Sequence, residues 1–192
     1  VVASLPGRKE KYILTIIEDT RQQADKHKIE NAQLQSLGVK ILRSKLPVGD
    51  YANIKNLSVI IDSKRDLQEC MKNICGGGMK KKNGETEHDR FRNECILARD
   101  NGIKLIVLVE HGWGIKSIDD VSLWINPRIE AFNRTVKAMQ RKCQSTAGMR
   151  APNTGLTLAK SMRTMQEKYG VEFQFCSRGD AGKKILELLG GD

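Results

Sequence analysis

Three aspartates stand where apolar runs give way to polar residues. Asp19 follows the run that begins at Tyr12, Asp50 lies in Pro47-Val48-Gly49-Asp50-Tyr51, and Asp62 ends the run Leu57–Ile61. Lys64 comes two positions after Asp62. In an extended chain residues two apart share a face, so Asp62 and Lys64 point one way and Ser63 the other. A carboxylate and an ammonium side by side at a strand end can hold a hard cation and a water together. Mg²⁺ takes oxygen ligands and is commonly held by one or two carboxylates plus a substrate phosphate. A lysine beside it can orient the attacking water or offset charge on the phosphate. Each residue also has a plain structural reading: Asp19 as a helix cap, Asp50 satisfying its own turn, Asp62 and Lys64 as an exposed pair of little worth. Taken singly, those readings win. Taken as a set in this order and spacing, the four residues favour metal-assisted chemistry on a phosphate.

The elements that must position them are legible from periodicity and punctuation. Residues 12–17 read as a buried strand, and 24–37 as a polar helix stopped by Gly38. Residues 39–46 and 57–61 are further strands, with a turn at 47–51, and Asp66 to Cys75 is a helix closed by Gly76-Gly77-Gly78. Asp66 is a candidate cap for that helix. A basic loop carrying Lys80-Lys81-Lys82 leads to a helix over 86–100, stopped by Asn101-Gly102. Ile103–Val109 is nearly continuous and β-branched, which predicts a central strand covered on both faces. A helix over 154–169, a strand over 171–176 and a helix over 180–189 with Asp180 as N-cap complete the chain. Strands alternating with helices predict an α/β sandwich around a mixed sheet.

The 192 residues carry 33 Lys plus Arg against 23 Asp plus Glu, a formal charge of +10, which favours a polyanionic partner. The excess is uneven. From Arg134 to Arg163 there are seven cations (Arg134, Lys137, Arg141, Lys142, Arg150, Lys160, Arg163) and no acid, which predicts an anion-contacting surface. Aromatic residues are only 5%, against a base-stacking platform. Trp113 and Trp124 read as local anchors. No apolar run is long enough to span a membrane, and the first residues lack the apolar core of a signal peptide. Five cysteines, an odd number without a Cys-x-x-Cys, argue against a disulfide framework or zinc site and for a reducing, intracellular setting. His27 and His111 have no visible nucleophile partner, and the triple glycine lacks a P-loop ending.

Val48-Gly49-Asp50-Tyr51 together with Ile60-Ile61-Asp62-Ser63-Lys64 resembles the signature of XPF-type DNA endonucleases, of the PD-(D/E)xK or restriction-endonuclease-like superfamily. Asp19-Thr20-Arg21 matches that family's Asp-x-Arg after the first strand, and Val171 to Leu189, with Cys176-Ser177, resembles its last strand and helix. Asp62 stands where the family has Glu, and Ser63 where it has Arg. Asp66 lies two residues after the lysine, where the family's further Asp lies four after it.

The resemblance implies a restriction-endonuclease-like mixed sheet flanked by helices, in a single nuclease domain over 1–192. Its core would be about 11–116 and 154–189, with a basic, mainly helical segment at about 126–163. It implies Mg²⁺-dependent hydrolysis of DNA, with Mn²⁺ substituting, on flap or branched structures serving repair or recombination. Asp19, Asp50 and Asp62 would gather the metal, with the Ile61 carbonyl as an extra ligand. Lys64 would act on the water or the developing charge, and Arg21 and the seven cations would hold the DNA backbone. Short stand-alone versions resemble those of phages and bacteria, which implies a cytoplasmic setting, and a homodimer is open. The rival expectation is a catalytically silent nucleic-acid-binding subunit on the same fold.

Overall fold

The computed structural model describes residues 14–21, 23, 25–76, 84–112 and 114–190. The start of the first expected strand at Tyr12, the Lys80–Lys82 loop with Gly77 and Gly78, and Trp113 lie outside them. Six strands form one sheet in the order β2-β1-β3-β4-β5-β6: β1 (Leu14–Asp19), β2 (Val39–Ser44), β3 (Tyr51–Asn53), β4 (Asn56–Lys64), β5 (Lys104–Glu110) and β6 (Glu172–Cys176). β1 is parallel to β2 and antiparallel to β3. β3 and β4 are an antiparallel hairpin, while β4, β5 and β6 run parallel. The sheet is mixed and flanked by helices, as a restriction-endonuclease-like fold requires.

Alternation along the strands sorts side chains into two cores. On one face Ala52, Ile60, Leu105, Val107 and Val109 pack under α2 (Leu67–Ile74), α3 (Glu87–Asp100), α4 (Ile118–Leu123) and α6 (Gly155–Tyr169). On the other, Ile16, Tyr51, Ile61, Ile106 and Leu108 pack under α1 (Lys28–Ser36) and α7 (Ala181–Gly190). β5 is buried on both faces, as its continuous apolar run predicts. Side chains start the helices on the first face. Asp66 accepts from the Glu69 N–H of α2 at 2.8 Å, and Thr86 with Asp89 makes a capping box for α3.

Four expectations shift. Tyr51, expected within a turn over 47–51, opens β3. α1 begins only at Lys28, with His27 at its N-cap and no capping side chain, so Asp19 caps nothing. β4 runs on through Lys64, so Asp62 and Lys64 lie within the strand rather than beyond it. Asp180 falls in a 3-10 turn over Arg178–Asp180 and accepts from the Ser177 hydroxyl at 2.6 Å. The basic segment forms α5 (Pro127–Arg141), which buries none of its residues, followed by irregular chain and then α6. All five cysteines are free thiols. Among the described residues no helix is long and apolar enough to cross a membrane.

Candidate active site

The site is built where β3 meets the C-terminal end of β4. Gly49 takes φ +65°, and a Cβ there would stand 2.6 Å from the Ile60 side chain and 2.8 Å from the Ile61 carbonyl oxygen. Only glycine lets the chain come this close to β4. The next residue then donates its N–H to the Ile61 carbonyl at 2.7 Å. That residue is Asp50, whose Oδ2 accepts the Ser63 N–H at 2.9 Å. The carboxylate thus continues the β3–β4 ladder with a side chain. Asp50 is buried, and His27 Nε2 lies 3.7 Å from the same oxygen. Burial alone would raise the Asp50 pKa. The His27 contact and the charges of Lys26 and Lys64 outweigh it and hold the carboxyl below the ordinary range.

Asp62 and Lys64 are anything but an exposed surface pair. They are 4% and 3% exposed, and Lys64 Nζ lies 2.5 Å from Asp62 Oδ2. The ammonium also sits 5.2 Å from the centroid of the Phe91 ring on α3. Glu94, one helical turn further on, accepts the Gly49 N–H at 2.7 Å, tying α3 to the turn that delivers Asp50. Three carboxylates, Asp50, Asp62 and Glu94, therefore act on one ammonium. Burial works to lower the Lys64 pKa, but these acids raise it above the ordinary range, so Lys64 is charged. Burial, with Asp50 and Glu94 adding to it, outweighs Lys64 at Asp62 and pushes that carboxyl up to about 7. The site carries more acid than its lysine neutralises.

Gly49, Asp62, Lys64 and Glu94 border a cleft of about 600 Å³ that Asp19 and Glu69 also line, with Arg21, Lys26 and Arg90 as its other cations. Asp50 is buried and does not line it. Asp19 is brought to the cleft with both oxygens engaged: Oδ1 accepts the Leu46 N–H at 3.0 Å and Oδ2 accepts from Arg21 Nε at 2.6 Å. It acts as a clamp on the loop after β2, and Arg21 is committed to it. The Ile61 carbonyl is taken by the Asp50 N–H. Asp66 caps α2. Among the described residues no three His, Cys, Asp or Glu side chains gather as a metal-binding group. For a hard divalent cation the structure offers Asp62 on the cleft and the buried Asp50 near it, with Asp19 on the cleft hydrogen-bonded through both oxygens.

None of the seven cations from Arg134 to Arg163 lines this cleft. All seven are exposed. Arg134 pairs with Glu130 at 3.3 Å, and Arg163 pairs with Asp119 of α4, so acids outside the segment reach two of them. Lys137, Arg141, Lys142, Arg150 and Lys160 make no ion pair among the described residues.

Glu94 and His27 belong to the site although their spacing from the aspartates gives neither away. For Glu94 there was a signal: it falls on the inward stripe of α3 that buries Phe91, Cys95 and Ala98, where an acid is out of place. For His27, an isolated residue in sequence, there was none, because its partner Asp50 is supplied by another element.

The six-stranded mixed sheet flanked by helices is a restriction-endonuclease-like fold. Among solved structures it is similar to "XPF from Aeropyrum pernix", with a TM-score of 0.54 and 16% sequence identity over 91% of this chain and 63% of that one. The chain thus spans less than two thirds of the length of that structure. No family model and no curated protein matches the sequence.

Proposed function

We propose that the chain is a metal-dependent endonuclease hydrolysing DNA phosphodiester bonds in the Asp62–Lys64 cleft. The observation that carries this reading is the buried Asp62–Lys64 pair, held beside Asp50 and Glu94 on a restriction-endonuclease-like sheet. Asp50 and Asp62 would hold a divalent cation, Mg²⁺ with Mn²⁺ as a substitute. When bound, such a cation neutralises phosphate charge and acidifies a water. Lys64, kept protonated by its acidic neighbours, presents a fixed positive charge to the phosphate and can orient the attacking water. Asp50 stays ionised across the working pH range, so its ligand role needs no proton release. Arg90 and Lys26 line the cleft and position the DNA backbone locally. The exposed cations of α5, α6 and the chain between them extend contact to flanking phosphates, positioning rather than reading sequence.

A second reading, a silent nucleic-acid-binding subunit, is favoured by one observation: Asp19 already accepts from Leu46 and Arg21, and Asp50 from Ser63, so these carboxylates have partners without a metal. The discriminating experiment is cleavage of end-labelled single-stranded, duplex, flap and branched DNA, and of an RNA duplex, with Mg²⁺, Mn²⁺, Ca²⁺ or chelator. The nuclease reading expects cutting of DNA in Mg²⁺ or Mn²⁺ that is lost in chelator and in Asp50→Asn. Binding without cutting under every metal supports the silent subunit.

A further inference from the structure

Ser63 points away from the cleft, onto the face of the sheet covered by α1 and α7. Its hydroxyl donates to Glu110 Oε1, at the end of β5, at 2.5 Å. Its backbone N–H is the donor that fixes Asp50 Oδ2 at 2.9 Å. Both residues are buried, Ser63 at 3% and Glu110 at 4% exposure. They border a second, smaller cavity of about 150 Å³ with His27, Glu30 and Arg178. A buried acid on an apolar strand needs a reason to be there. Here it grips the one residue that separates Asp62 from Lys64 in sequence and holds Asp50 in space.

We propose that Glu110 and Ser63 form a positioning clamp acting through the sheet, in which Glu110 fixes Ser63 from the rear face so that Asp62 and Lys64 are presented on the cleft face with Asp50 held on the Ser63 N–H beside them. The clamp rests on the nuclease reading for its purpose and on these hydrogen bonds for its existence. Ser63 has its neighbours Asp62 and Lys64 on either side along a rigid strand, so rotation of the Ser63 peptide would move both. The Ser63–Leu108 register places β5 directly beside that peptide, and Glu110 lies two residues further along the same face. His27 approaches Asp50 Oδ2 from α1, so the carboxylate is held from two elements. Partners of metal ligands set ligand geometry rather than touching substrate, which makes Ser63 and Glu110 positioning residues.

The test compares wild type with Ser63→Ala, Glu110→Leu and Glu110→Gln in the full chain, the last keeping an acceptor for the Ser63 hydroxyl. Three measurements are made: hydrogen exchange of the position-63 amide by NMR in the metal-free protein, Mn²⁺ affinity by electron paramagnetic resonance, and single-turnover DNA cleavage. The clamp predicts that Ser63→Ala and Glu110→Leu accelerate amide exchange and cost about 10–100-fold in Mn²⁺ affinity or cleavage rate, with DNA affinity in Ca²⁺ little changed. Glu110→Gln should stay within about threefold of wild type in every measurement. A role confined to fold stability would lower the melting temperature of all variants without this rescue. If Glu110→Leu does not fold, Ser63→Ala carries the comparison. Wild type that cuts nothing refutes the nuclease reading, while exchange and Mn²⁺ affinity still judge the clamp. Unchanged position-63 exchange in the folded variants, or a Glu110→Gln protein as impaired as Glu110→Leu, overturns it.

Discussion

Replacing Asp62 by Asn should destroy cleavage and yet stabilise the metal-free protein at alkaline pH. Asp62 shares a buried site with Asp50 and Glu94 and has one ammonium, Lys64, to answer them. Its carboxyl is shifted from an ordinary 3.8 up to about 7. Between those values the folded protein keeps a proton that the unfolded chain has released, so stability falls as pH rises through this window. At about 1.4 kcal/mol per pH unit, the upper bound on that loss by pH 8 is about 4 kcal/mol. Asn has the shape of the protonated acid and never ionises, so it escapes the loss. Its amide turned toward Lys64 and relaxation around the wild-type charge reduce the gain, to about 1–3 kcal/mol. The assay is urea denaturation in chelator at pH 5 and pH 8. The two proteins should agree within about 1 kcal/mol at pH 5 and separate in favour of Asp62→Asn at pH 8. A variant less stable than wild type at pH 8, with no pH-dependent gap, would show that the Lys64 pair outweighs burial and the neighbouring acids at Asp62.

Gly49→Ala meets both a left-handed backbone and a β4 carbonyl at 2.8 Å, and should lower stability by about 2–5 kcal/mol in urea denaturation; a loss below about 0.5 kcal/mol would mean that the turn rearranges freely. Replacing Arg141, Lys142 and Arg150 by Ala should reduce the log–log salt dependence of DNA binding by about 0.9 per lost phosphate contact, and an unchanged slope would show that this surface faces elsewhere. In chelator the fold should persist in circular dichroism while cleavage stops, and Ca²⁺ should support DNA binding better than cutting because its looser coordination positions water poorly. Cutting at full rate in chelator would remove the metal from the mechanism.

Five of the six strands were legible in the sequence because stops separate them: Gly38 ends the helix before β2, and Asn101-Gly102 ends the helix before β5. The short β3 was not, because Tyr51 opens it inside the stretch that reads as a turn. The pairing of Asp62 with Lys64 on one face followed from the period of two alone. The burial of that pair did not, since nothing near position 64 announces that Phe91 of α3 will cover it. Asp19 shows the opposite limit. Its place at a strand end reads as a helix cap or a ligand, but the Leu46 N–H that its Oδ1 accepts comes from the loop after β2, which nothing near position 19 announces. The charge run from Arg134 to Arg163 was real in sequence and exposed in space, yet none of it lines the cleft: α5 buries none of its residues, and Lys160 and Arg163 lie on the exposed face of α6. Periodicity fixes faces. It does not say which faces meet.

On the proposed reading, Lys64 serves the transition state of phosphodiester hydrolysis from a site where Asp50 and Asp62 hold the metal. The most direct test is single-turnover cleavage in Mg²⁺ by wild type and Lys64→Ala at saturating protein, with DNA affinity measured on the same samples in Ca²⁺. Loss of one positioned electrostatic stabiliser should slow cleavage by about 10²–10³, while DNA affinity stays within about threefold. A wild-type protein that cuts nothing in any divalent metal, or a Lys64→Ala protein that cuts at the wild-type rate, would show that Lys64 does not serve this reaction.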